Sequence, residues 1–303
     1  MKLFQTPMLL LIASAIMSTA SAQPAGPSVL APGAKLEKLS GDFQFAEGAT
    51  CDADGNVFFT DQPNNRIMKW SVDGKLSTWK QPAGRANGMC FDAKGNLLAC
   101  ADENHELWSI APDGTVTVVV HEFEGKWINA PNDVSAQPNG SLYFTDPFYD
   151  RNWWTNHVRP QDTEQVYHLS ADRKSLKRVT TDLRKPNGIV GSPDGKTLYV
   201  ADIGAGRTYA YDILPDGSLT NRTLRATMGS DGMTVDTEGN LYLTGRGVFV
   251  WDKTGKQIEK IDVPENWCGN ICFGGKDRQA LFIAASKGFY TIRTKTKGAN
   301  AAK

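Results

Sequence analysis

The chain carries no surplus of charge: its 303 residues hold 33 Lys and Arg against 33 Asp and Glu. That balance removes the electrostatic pull toward nucleic acid or an anionic membrane surface, so neither is expected as a partner. Long apolar runs are lacking too. Beyond the short stretch Met8–Met17 no segment approaches the ~20 residues of a membrane-spanning helix. Histidine is scarce, at four, and none of the five cysteines stands in a Cys-x-x-Cys pair, which leaves little for a zinc site. Five is odd, so at least one thiol stays unpaired within the chain. Cys51, Cys90 and Cys272 fall inside strand-like apolar runs and read as small buried hydrophobes. GxSxG, HExxH, the P-loop and a GxGxxG after a strand are all missing, which disfavours a serine hydrolase and leaves room for a metal-assisted one.

The N-terminus has the layout of a secretory leader. Met1-Lys2 is positive, Met8–Met17 is apolar, and Ala20-Ser21-Ala22 offers a small-x-small cleavage site. Residues 1–22 are therefore expected to be a cleaved signal peptide, and the mature protein soluble and exported, to the periplasm or the medium. Residues 23–34, rich in Pro and Gly, are expected to be a flexible segment, 35–295 the folded domain, and 296–303 a disordered tail.

Glycine (29), proline (15) and aromatics are plentiful, as in short strands joined by tight turns. Six segments follow one template: a turn carrying Glu, Asn or Asp, an apolar strand, a Gly-containing turn and a second strand. They begin near FAEGATCDADGNVFFTD, RANGMCFDAKGNLLACAD, APNDVSAQPNGSLYFTD, KPNGIVGSPDGKTLYVAD, GSDGMTVDTEGNLYLTG and CGNICFGGKDRQALFIAA. The marker residues Glu47, Asn87, Asn132, Asn187, Asp231 and Asn270 lie 40, 45, 55, 44 and 39 apart. That interval fits one four-stranded propeller blade per repeat. A first set of turns (Asp54-Gly55, Asn139-Gly140, Asp194-Gly195) and a second (Asp73-Gly74, Asp113-Gly114, Asp216-Gly217) mark hairpins within each repeat. The expected fold class is all-β: a six-bladed β-propeller with four-stranded blades around a central channel. The segment 35–43 is expected to supply the outer strand of the last blade and so close the ring.

In a propeller the first strand of each blade lines the channel, so the six markers form a ring of two carboxylates and four amides. Such oxygens suit one divalent hard cation, Ca²⁺ foremost, with Zn²⁺, Mn²⁺ or Mg²⁺ as alternatives. A second reading stays open, because Asn-Gly and Asp-Gly pairs also serve as plain turn formers at strand entries. The longest interval contains PFYDRNWWTNHVRP (147–160). Its aromatics, with Trp127 upstream, form either a stacking wall for a sugar-like ring or a loop packed on its own tryptophans. His105 reads as a surface or packing residue more readily than as a site residue.

These motifs, above all PNDVSAQPNGSLYFTDP, KPNGIVGSPDGKTLYVAD and GSDGMTVDTEGNLYLTG, resemble the gluconolactonase / senescence-marker-protein (regucalcin-like) family, over about 36–293. The resemblance implies one divalent cation held by Glu47, Asn132, Asn187 and Asp231, and substrate contacts from Arg85 and Asn87. It implies hydrolysis of a small-molecule sugar lactone to its aldonic acid, with Asp231 as general base and Glu47 as a ligand. It assigns no role to Asn270, which reads as a strand-entry turn. Two alternatives accompany it: a phosphotriesterase or arylesterase on the same cation site, and a binding propeller without catalysis.

Overall fold

The computed structural model describes residues 28–299; the expected leader and residues 300–303 lie outside them. Six four-stranded antiparallel sheets follow one another along the chain, at 46–80, 86–120, 134–180, 186–226, 233–261 and 268–293, here called blades 1 to 6. The innermost strands, Ala46–Cys51, Ala86–Phe91, Val134–Ala136, Pro186–Gly191, Met233–Val235 and Cys268–Gly274, touch each other in cyclic order around an axis. Blade 6 takes its fourth, outer strand from the start of the chain: Glu37–Ser40 pairs antiparallel with Gly288–Arg293. The expected six-bladed propeller and its closure are both present, and closure leaves neighbouring blades joined without a seam.

Among the described residues six apolar clusters each lie between two adjacent blades, the last between blades 6 and 1, where Phe59 stacks on Phe289 at 4.1 Å. Burying these alternate strand faces drives sheet against sheet. The hairpin turns behave as their residues require. Gly55, at φ +96°, closes a turn in which the Asp52 carboxylate accepts from the Asp54 and Asn56 amides.

Two terminal expectations need correction. Within the expected flexible segment, Val29 is buried and Leu30 bridges to Thr294. Within the expected disordered tail, Thr296 is buried, Gly298 bridges to Asp236 and the Ala299 amide donates to the Val235 carbonyl. Blades 5 and 6 offer unpaired edges there, and backbone pairing outweighs the weak local propensity of both segments.

Glycines following the markers have a role beyond turns. A Cβ on Gly48 would collide with the Asn87 carbonyl, and one on Gly232 with the Asn270 amide. Glycine is what lets the inner strands come this close around the axis.

Candidate functional site

An axial cavity of about 420 Å³ opens among the blade entries, and Glu47, Asn87, Asn132, Asn187 and Asp231 all line it. Three of these markers, Glu47, Asn132 and Asn187, are aimed there by a repeated device. The Asp ending the second strand of a blade accepts from two backbone amides just upstream of that blade's marker. Asp61 takes Gln44 and Phe45, Asp146 takes Asn129 and Ala130, and Asp202 takes Arg184 and Lys185. Each carboxylate thereby fixes the entry of the channel strand carrying Glu47, Asn132 or Asn187.

Blade 2 departs from the pattern. There Asn65 Oδ1 accepts from the Ala83 and Arg85 amides, at 2.9 and 2.8 Å. Asp102, released from that task, accepts instead from Gln62 Nε2 (3.2 Å), Arg151 Nε (2.9 Å) and Trp153 Nε1 (3.1 Å). Its carbonyl takes Trp154 Nε1 at 3.0 Å. One buried residue thus ties the 147–160 loop over the channel mouth. Burial pushes the Asp102 carboxyl up, and the charge of Arg151 pulls it back.

The cavity is rich in acceptors that lack donors. Glu47 Oε2, Asn87 Oδ1, Asn132 Oδ1 and Asn187 Oδ1 are buried without a hydrogen-bond partner. Buried acceptors are normally satisfied, and four orphans on one cavity make a cradle of oxygens whose chemistry suits an electropositive ligand. Glu47 is raised well above the usual carboxylate range by burial and by the charges of Asp231 and Asp133. Burial pushes Asp231 up to about 6, opposed by hydrogen bonds from Trp267 and Asn187 and by the charge of Arg151. Trp267 Nε1 holds Asp231 Oδ2 at 2.6 Å. Two buried, mutually repelling carboxylates among orphaned amide oxygens fit a divalent hard cation by the chemistry of the donor set.

Asn270 sits deeper, on a smaller cavity of about 110 Å³ that it shares with Asp133. Its amide donates to Glu47 Oε1 at 3.1 Å and its oxygen accepts from the Ile271 amide. It therefore orients Glu47, a role beyond the strand-entry turn expected for it. Arg85 is not among the residues lining the axial cavity. Its backbone has φ +47°, and its guanidinium donates to the Pro63 carbonyl, pairs with Glu103 and stacks over Trp153 at 4.7 Å. The cation facing the cavity is Arg151, with Tyr149 and Trp153 from the same loop and Gln62, Phe45 and Trp267 from others. Of the two loop tryptophans, Trp153 is a wall of the cavity, whereas Trp154 is buried behind it, stacked on His105 at 4.4 Å. His105 is itself buried, with Nδ1 against the Asn129 carbonyl at 2.9 Å, in keeping with a packing role. All five cysteines are free thiols, and burial pushes Cys51 and Cys268 up to about 12, which leaves them unreactive.

A family model described as the SMP-30/gluconolactonase/LRE-like region matches residues 45–287, from the first strand of blade 1 to the second strand of blade 6. The chain belongs to this family. A gluconolactonase from Zymomonas mobilis is 30% identical over 294 residues, covering 87% of this chain and 82% of that protein. Among solved structures, a putative gluconolactonase superimposes with a TM-score of 0.85 at 31% identity, covering 91% of this chain and 98% of that one. A gluconolactonase from Xanthomonas campestris gives 0.82 at 28% identity, covering 88% and 91%. No helix among the described residues is long and apolar enough to cross a membrane.

Proposed function

We propose that the chain is an exported, divalent-cation-dependent lactonase that adds water to the acyl carbon of a sugar lactone, breaks the ring C–O bond and releases an aldonic acid. The observation that carries this reading is the set of three buried, donorless amide oxygens on one cavity with two carboxylates, one of which, Glu47, also has a donorless oxygen. Kinship with gluconolactonases gives the substrate class. Glu47, Asn132, Asn187 and Asp231 would hold the cation, Ca²⁺ by the hardness of the donors. When bound, it supplies Lewis acidity toward the acyl oxygen and a lower pKa for water.

The chain's own groups do the rest. Asp231, held in place by Trp267, accepts the proton of the attacking water. Arg151 sets a fixed positive charge at the cavity, where negative charge develops on the substrate and persists on the product carboxylate. Asn87, Gln62 and Tyr149 offer hydrogen bonds to ring hydroxyls, while Phe45, Trp153 and Trp267 exclude bulk water. Those apolar walls also favour a second substrate class, aryl esters, on the same machinery.

The test is a pH-indicator assay on glucono-δ-lactone and an aryl ester, after chelation and again with Ca²⁺, Mg²⁺, Mn²⁺ or Zn²⁺ restored. Lactone hydrolysis should fall at least about 100-fold on chelation and return with one of the ions. Restored cation should also raise Tm, as binding to the native state alone requires. Hydrolysis indifferent to chelation would overturn the reading, and activity on the aryl ester alone would replace lactone with ester. Arg85→Ala should raise KM for the lactone roughly 3- to 10-fold by freeing Trp153 to move, with cation affinity unchanged by titration. A fall in cation affinity would place Arg85 closer to the ligands than its contacts indicate.

A further inference from the structure

A second cavity, of about 520 Å³, adjoins the axial one, and Trp153 is a wall of both. Its other aromatic surfaces are Trp127, Trp154, His105 and His121. Trp127, at the end of the short hairpin strand Lys126–Trp127, is 49% exposed, a large indole face left open to solvent. The hairpin is pinned beneath it by Gln161 Nε2, which donates to the Phe123, Lys126 and Trp127 carbonyls. The open face is therefore presented by rigid backbone.

The polar groups around these rings are mainly acceptors. His105 puts Nδ1 against the Asn129 carbonyl, so that nitrogen carries the proton and Nε2 is left as an acceptor. Glu106 takes Trp108 Nε1 at 2.6 Å on one oxygen, and its other oxygen lies 3.8 Å from His121 Nδ1. Asn104 and Asn156 add amides at the rim. Neither Lys nor Arg lines the cavity, so an anionic ligand has nothing to pair with. Glu103 is already paired with Arg85, and no group of three or more His, Cys, Asp or Glu among the described residues is placed to hold a metal here. Flat aromatic faces ringed by acceptors match an uncharged pyranose, whose C–H face packs on indole and whose hydroxyls donate outward.

We propose that this cavity is a subsite for a glycosyl unit, so that the favoured substrate is a sugar lactone carrying a second sugar rather than a bare monosaccharide lactone. The inference rests on the lactonase reading: the lactone ring occupies the axial cavity, and the attached sugar passes the edge of Trp153 to lie against Trp127. The volume falls within the ~300–1,000 Å³ range of ligand pockets.

The experiment compares kcat/KM of the cation-loaded protein on glucono-δ-lactone with that on the lactones of cellobionic, maltobionic and melibionic acids. At least one disaccharide lactone should exceed the monosaccharide by roughly tenfold, carried by KM. Trp127→Ala should remove that advantage and leave glucono-δ-lactone within about twofold of wild type, while Trp127→Phe keeps most of it. No advantage for any disaccharide lactone, or an equal loss on both classes in Trp127→Ala, would overturn the subsite. If no lactone is hydrolysed, the lactonase reading has failed on its own account. Calorimetry with the methyl glycosides of cellobiose, maltose and melibiose then decides the subsite: binding lost in Trp127→Ala sustains it, and no binding overturns it.

Discussion

Asp231→Asn lowers kcat on glucono-δ-lactone by at least about 10³-fold while leaving the fold intact. The substitution is isosteric, and the amide oxygen can still accept from Trp267 Nε1, so the side chain stays where it is. What it loses is the capacity to take a proton, a contribution of about 10²–10⁴ by itself, and one of the two charges in the oxygen cradle. Stability adds an independent readout with a sign of its own. Without cation, wild type holds Asp231 and Glu47 buried against each other, and removing one charge relieves that repulsion. Cation-free Asp231→Asn should therefore melt at or above cation-free wild type. The rise in Tm on adding Ca²⁺ should shrink, because affinity for the cation has fallen. Near-normal turnover would remove Asp231 from its assigned role. A fall in Tm without cation would mean that the carboxylate supports the fold rather than the ligand.

The architecture was readable because each blade repeats its own grammar. Asp-Gly and Asn-Gly turns recur at fixed distances from a marker, and that register places Glu47, Asn87, Asn132, Asn187 and Asp231 on one cavity. The markers are legible for a physical reason: strands of period two around an axis put equivalent positions on the same surface. Residues brought in by loops obey no such period. Arg151 and Tyr149 have no counterpart in other repeats, and the one signal for them was the excess length of 147–160. Arg85 shows the limit of carrying a motif across by position alone. It stands two residues before Asn87, yet its left-handed backbone and its bonds to Pro63 and Glu103 turn it onto the back of Trp153. Asn270 was undervalued because its partner, Glu47, lies 223 residues away and meets it only when the ring closes.

Asp102→Ala should cost both stability and substrate recognition while sparing the cation. The buried carboxylate collects donors from Gln62, Arg151 and Trp153, and its removal leaves a guanidinium and an indole N–H short of an acceptor at the half-buried wall of the cavity. Breaking a buried ion pair from one side costs about 3–5 kcal/mol. For a domain of this size that lowers Tm by roughly 10 °C. Released from Asp102, Arg151 and Trp153 no longer hold their places at the axial cavity, so KM for glucono-δ-lactone should rise at least about tenfold. Asp202→Ala is the informative comparison. Asp202 occupies the equivalent place in blade 4 but spends its oxygens on the Arg184 and Lys185 amides, just ahead of Asn187. Its loss should loosen Asn187 and weaken cation binding, with the 147–160 loop still anchored. Asp102→Ala should instead keep wild-type cation affinity by titration and fail on substrate. If both variants lose cation affinity and KM in the same proportion, the blade 2 aspartate is one more strand-entry clamp and not the anchor of the loop. If they separate, one position in the repeat has been diverted from holding the ring together to holding the wall of the site.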